Sequence, residues 1–132
     1  MSQASGGVNR PVEAASGEQT WRFDLHKALE FVEHEEDLLR AVVTVFVEES
    51  PRLVQNAEDA LRAGDQAKLQ HAAHTLKSTF NSLCLEQMRQ LSQQIETLAS
   101  AGRLDEITEQ VQTLRMQSDE IIIQLNDYLA QG

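Results

Sequence analysis

A histidine, a lysine and a serine stand close together in the segment 71–81, HAAHTLKSTFN. On a helix, His74 and Lys77 are neighbours on one face because they are three residues apart. A neutral imidazole has a free nitrogen lone pair near pH 7 and can accept a phosphoryl group. A nearby ammonium group can neutralise part of the phosphoryl charge, and Ser78 adds a hydroxyl group with little bulk. The spacing therefore favours a phosphorylatable histidine with a cationic neighbour.

A helix over this segment separates a buried face from an open one. At 100° per residue, His74 lies roughly 140° from the centre of an apolar stripe whose members fall within about 40° of a common direction. That stripe comprises Leu69, Ala73, Leu76, Phe80 and Leu83. Around His74 the side chains are small or polar, and we call Ala67, Ser78 and Asn81 the open face. A large partner could approach the imidazole there, so we expect the partner to contact the open face and Lys77.

The string AHTLKS at 73–78 resembles the signature of histidine-containing phosphotransfer (HPt) domains, His-x-x-Lys followed by Gly or Ser. The resemblance covers roughly residues 23–129. It implies that His74 is the phosphoacceptor and that Lys77 and Ser78 act beside it. It also implies that Glu96, on the next helix, hydrogen-bonds the histidine ring. The further segments that carry the resemblance are Phe23-Asp24, FVEESP at 46–51, Gly64-Asp65, and Leu91 with Ile95-Glu96.

The spacing alone leaves two interpretations of Glu96 open, a partner of the histidine ring or an ordinary solvated glutamate. Glu96 lies at the edge of the apolar stripe of its helix, so it could reach the neighbouring helix. A carboxylate that accepts from Nδ1–H would fix the tautomer and leave Nε2 as the nucleophile.

Cys84 and Phe80 depart from the family pattern, which often has Gly and a small residue there. These departures concern the end of the histidine helix and the fit of a partner.

The composition favours an all-α fold, since Leu, Ala, Gln and Glu are plentiful and interior Gly and Pro are scarce. We predict an up-down-up-down antiparallel four-helix bundle with a short extra N-terminal helix. Residues 1–20 are interpreted as a flexible tail or linker, and residues 21–132 as an HPt-like bundle domain. Trp21 and Phe23 are expected to anchor the tail onto the bundle.

Capping residues and apolar spacing set the predicted helices. Asp24 should cap the first helix, and Gly64 and Asp65 should separate the second helix from a third that runs to about Leu83. Pro51 predicts either a kink in the second helix or a restart capped by Ser50. A fourth helix should carry Met88, Leu91, Ile95 and Leu98. The fifth should follow an apolar seam from Leu104 to Tyr128, in which Ser118 is the one polar member.

The net charge of −10 argues against nucleic-acid and anionic membrane partners, which require clustered Lys and Arg. Cys84 is the only cysteine, so an intrachain disulfide is excluded. No apolar run approaches the ~20 residues that cross a bilayer, and the N-terminus lacks a signal-peptide pattern. These features predict a cytoplasmic protein, which we expect to be a monomer.

His71 and His74 could chelate a metal, but no third ligand is evident, so no metal is expected.

The resemblance implies a phosphorelay intermediate that passes a phosphoryl group between response-regulator receiver domains. A hybrid sensor histidine kinase is a further candidate partner. No cofactor is expected, because the Mg²⁺ used in transfer should be bound by the receiver domain. The sequence has no Gly-rich phosphate loop, which argues against phosphorylation from ATP. The alternative is a non-catalytic helical adaptor, or a degenerate HPt-like domain that binds receivers without accepting phosphate.

Overall fold

The computed structural model describes residues 21–131, and these residues form an all-α fold. The predicted tail at 1–20 lies outside the described residues. A short first helix is followed by four longer helices, with one turn of 3₁₀-helix at Leu104–Glu106 before the last. The helices are α1 (Leu25–Phe31), α2 (Glu36–Ala63), α3 (Gln66–Asn81), α4 (Glu86–Ser100) and α5 (Thr108–Ala130).

The four long helices pack in a closed ring, in which α3 contacts α2 and α4, and α5 contacts α2 and α4. Short connections make consecutive helices antiparallel neighbours. The predicted antiparallel four-helix bundle with an extra N-terminal helix is therefore confirmed. No helix within residues 21–131 is long and apolar enough to cross a membrane.

The predicted caps of the first and third helices are present. Asp24 accepts a hydrogen bond from the backbone N–H of Lys27, and Asp65 accepts one from Lys68. Gly64 ends α2 in the left-handed conformation at φ 68°, which glycine adopts without a Cβ penalty. Because only Gly64 and Asp65 separate α2 from α3, these residues fix where the third helix begins.

The structure corrects the prediction that the third helix runs to about Leu83. Helix α3 ends at Asn81. Cys84 then adopts a positive φ of 57°, and the N–H of Leu85 returns to the carbonyl of Phe80. This left-handed turn lies at the position where the family pattern often has glycine.

Pro51 lies inside one continuous helix, so the predicted restart with Ser50 as a cap is wrong. A proline within a helix costs about 3 kcal/mol, because it removes one hydrogen bond and crowds the preceding turn. The side chains of Phe46, Leu53 and Val54 are buried on both sides of it. Their packing offsets this cost and keeps both halves of α2 on the core.

The core contains the whole predicted stripe, since Leu69, Ala73, Leu76 and Phe80 of α3 and Leu83 just after it are all buried. The ring of Phe80 packs against that of Phe46 on α2, with centroids 5.8 Å apart. This packing turns the opposite face of α3 outward. Phe80 is thus a core residue and does not lie on the open face.

The seam of the last helix is buried from Ile107 to Leu125. Leu104, however, lies in the 3₁₀ turn, and α5 begins only at Thr108. The predicted start of the fifth helix is therefore one turn too early. At the other end of the seam, Tyr128 packs at an angle against Phe23, with ring centroids 5.9 Å apart. Trp21 and Phe23 both pack against the core, as expected for the anchor of the N-terminal segment.

Ser118 should be replaceable by alanine with a gain in stability. Its hydroxyl is buried and has no hydrogen-bond partner among the described residues. A buried hydroxyl without a partner keeps its desolvation cost, so Ser118→Ala should raise the free energy of unfolding by about 1 kcal/mol. Denaturant unfolding measures the change, with the exposed Ser100→Ala as control. A loss of stability in Ser118→Ala would show that the hydroxyl does have a partner.

Candidate functional site

His74 projects from the middle of α3 on the side opposite the buried stripe. Its side chain is 60% exposed, although Ala73 beside it is buried. The pattern that buries Leu76 and Phe80 therefore also turns the imidazole towards solvent. A reactive partner can approach this ring without any change in the bundle.

Glu96 lies within hydrogen-bond distance of the His74 ring. Its Oε2 is 2.9 Å from Nδ1 of His74, and its side chain is 17% exposed. An ionised carboxylate can only accept, so this contact places the ring proton on Nδ1. The neutral ring then carries its lone pair on Nε2, which is the nitrogen available for reaction. Helix α4 thus sets the tautomer of a histidine on α3.

Lys77 binds the second oxygen of the same carboxylate. Its Nζ donates to Oε1 of Glu96 at 2.8 Å and to Oε1 of Gln93 at 2.9 Å. Glu96 therefore bridges the imidazole and the ammonium group. The hydrogen bond from Lys77 is the main cause of a lowered pKa of Glu96, burial opposes this shift, and the hydrogen bond from His74 adds to it. The lowered pKa keeps the carboxylate ionised and therefore an acceptor.

The structure leaves the open face accessible, because Ala67, Ser78 and Asn81 are all exposed. Lys77 differs from them, since its side chain is only 24% exposed and is directed to α4. The sequence predicts that Lys77 contacts the partner together with the open face. In the structure, its ammonium group belongs to the hydrogen-bonded cluster beside the histidine.

Gln93 is the one member of this cluster that the sequence did not suggest. It lies on α4 one turn before Glu96, and its amide nitrogen donates to Oγ1 of Thr97 at 3.1 Å. The signal available in the sequence was its spacing of three residues from Glu96, which puts both on neighbouring positions of α4. That signal has meaning only once Glu96 is known to face Lys77.

No group of three or more His, Cys, Asp or Glu side chains that could hold a metal ion occurs within residues 21–131. His71 is exposed and lines a groove between α2 and α3, together with Ala67, Lys68 and Thr75. His74 instead pairs with Glu96 on α4. The two histidines therefore face different neighbouring helices.

The lowered pKa of Glu96 predicts a pH-dependent contribution to stability. A carboxyl group whose pKa is lower in the folded state stabilises the fold above its unfolded pKa, ordinarily 4.5, and this contribution is lost as the pH falls below that value. The free energy of unfolding of the wild type should therefore exceed that of Glu96→Gln most near neutral pH, and the gap should narrow below about pH 4.5. Denaturant unfolding at several pH values tests this, with the exposed Glu120→Gln on α5 as control. A gap that is independent of pH would contradict the ionic contacts of Glu96.

Comparisons with known proteins give a matching family model and two solved structures of similar fold. The Hpt domain family model matches residues 41–131. The HPT domain of a sensor hybrid histidine kinase from Shewanella has a similar fold, with a TM-score of 0.79 and 17% identity, covering 86% of this chain and 97% of that chain. Histidine-containing phosphotransfer protein B from Pseudomonas aeruginosa PAO1 gives a TM-score of 0.76 and 20% identity, with 83% and 96% covered. A search of curated proteins found no match.

At these identities the two solved structures establish the fold alone. The family match is independent of them and covers well over half of the chain, including α3 and α4 with the whole histidine cluster. The chain belongs to the Hpt domain family, whose role is phosphotransfer in phosphorelays.

Proposed function

We propose that this domain is a phosphorelay intermediate that accepts a phosphoryl group on His74 from the aspartate of one receiver domain and passes it to another. The observation that carries the proposal is the contact between Glu96 and Nδ1 in an exposed ring. It supports Nε2 as the nucleophile, in a ring that a partner can reach. The receivers are the proposed partners, and a hybrid sensor histidine kinase is a further one.

The transfer step forms one bond and breaks one bond. Nε2 of His74 attacks the phosphorus of the aspartyl phosphate, the Nε2–P bond forms, and the P–O bond to the aspartate breaks. The aspartate leaves as a carboxylate with the electron pair of that bond. The ring keeps its proton on Nδ1 and becomes positively charged, so the carboxylate of Glu96 stabilises it. The return to a second receiver is the same step in reverse.

Lys77 has a separate role in this proposal. Lys77 lies one helical turn from His74 on α3, and its ammonium group neutralises part of the charge on the phosphoryl oxygens. The Mg²⁺ required for aspartyl phosphate chemistry is proposed to be bound by the receiver. The receiver would cover the open face, where small side chains allow its active-site cleft to close over the ring.

Incubation with a phosphorylated receiver domain tests the proposal. A phosphohistidine is labile in acid and stable in base, so this chain should gain phosphate with those properties, and a second receiver should then remove it. A chain that binds the receiver without gaining phosphate would instead be a degenerate domain. A chain that does not bind receivers at all would be a helical adaptor of another kind.

A further inference from the structure

Gln93 is held at both ends of its side-chain amide. Its Oε1 accepts from Nζ of Lys77 at 2.9 Å, and its Nε2 donates to Oγ1 of Thr97 at 3.1 Å. An ammonium group can only donate, so the oxygen of the amide must face Lys77. Thr97 then accepts from the amide nitrogen on the other side. The orientation of the amide is therefore determined by its two partners.

The ammonium group of Lys77 lies between two acceptors on α4. It has three N–H donors, and Glu96 and Gln93 accept from it at 2.8 and 2.9 Å. Two fixed acceptors define the position of Nζ and the rotation about its last bond. With a single acceptor, the long lysine side chain could exchange between rotamers. The second acceptor, Gln93, restricts Lys77 to one of them.

We infer that Gln93 is a positioning residue for phosphoryl transfer, which holds the Lys77 ammonium group against Glu96 so that its remaining N–H is directed to a phosphoryl oxygen on His74. This inference rests on the proposed function. Gln93 touches neither the imidazole nor the phosphoryl group in this arrangement. It acts on the reaction through Lys77.

A neutral amide suits this role better than a second carboxylate would. The charges of Lys77 and Glu96 offset one another, so the cluster does not repel an incoming phosphoryl group. A carboxylate at position 93 would bind the ammonium group equally well but leave the cluster with a net negative charge. Glutamine supplies the acceptor oxygen without that charge.

The test compares Gln93→Met with Gln94→Met. Methionine is unbranched and a good helix former, and it lacks the amide acceptor. Gln94 is the exposed neighbour on α4 and, like Gln93, lines a groove with Trp21, but it is not a hydrogen-bond partner of Lys77. Each variant is assayed for receiver affinity, for the rate of phosphoryl transfer at saturating receiver, and for the titration of the Glu96 carboxyl carbon by NMR.

Gln93→Met should lower the saturating transfer rate by at least about tenfold, as expected for one lost hydrogen bond to a charged group. Receiver affinity should stay within about twofold of the wild type, since only the lysine is released. The Glu96 pKa should rise towards its ordinary value, because the hydrogen bond from Lys77 is the main cause of its depression. Gln94→Met should match the wild type in all three measurements.

Two results would overturn the inference while the proposed function stands. The first is a loss of receiver affinity without a loss of saturating rate, which would make Gln93 a docking contact. The second is a Glu96 titration that is the same in Gln93→Met as in the wild type, which would show that Lys77 stays in place without the amide. A wild type that accepts no phosphate overturns the proposed function itself, and the inference with it.

Discussion

Replacing His74 with glutamine should abolish phosphoryl acceptance from a phosphorylated receiver. The amide nitrogen of glutamine has no available lone pair, so the side chain keeps polarity and size but loses the nucleophile. Because the side chain is 60% exposed, the fold should be little affected, with a change in stability under about 0.5 kcal/mol. Phosphate incorporation and thermal unfolding followed by circular dichroism measure the two effects.

The matched control is His71→Gln, on the same helix one turn earlier. His71 is exposed and faces the groove between α2 and α3, so its loss should leave acceptance close to the wild type. The opposite pattern, with acceptance kept in His74→Gln and lost in His71→Gln, would move the phosphorylation site to His71.

Replacing Ser78 with tryptophan should block transfer while the domain stays folded. Ser78 is exposed on α3, one turn after His74, and we propose that a receiver must close over this position. A misplacement of the reacting groups by even about 1 Å can slow a reaction on the order of a hundredfold, and an indole ring would displace the receiver by more. The transfer rate and the receiver affinity should both fall by at least about that factor.

Asn126→Trp provides the control, because Asn126 is exposed on α5, a helix that packs on α2 and α4. It introduces the same bulk away from His74 and should transfer at the wild-type rate. If Ser78→Trp has the same transfer rate and receiver affinity as Asn126→Trp, the receiver does not use the open face.

Most of the fold follows from local patterns in the sequence. The stripe of α3 and the caps at Asp24 and Asp65 were predicted, because helical periodicity and capping depend on neighbouring residues alone. Of the two alternatives at Pro51, a kink or a restart, the restart was wrong, since tertiary packing of Phe46 and Leu53 outweighs the local cost of proline. The helix ends were predicted less accurately, because the turn at Cys84 depends on how α3 and α4 pack against each other.

The site was predictable only in part. The exposure of His74 follows from its angle to the buried stripe. The contact with Glu96 was predicted from the family resemblance and from the position of Glu96 at the edge of the apolar stripe of α4. The position of Lys77 was less evident, because its spacing from His74 does not say that its ammonium group turns to α4. Gln93 could not be found from the sequence, since its contact depends on the register between α3 and α4.

The most direct test of the account is the identity of the phosphorylated nitrogen in the wild-type protein. Phosphorus NMR of the chain, phosphorylated by a receiver and kept at alkaline pH, distinguishes the two isomers of phosphohistidine. The contact between Glu96 and Nδ1 predicts a single phosphoryl group on Nε2 of His74. A phosphoryl group on Nδ1, or on a residue other than His74, would contradict the account.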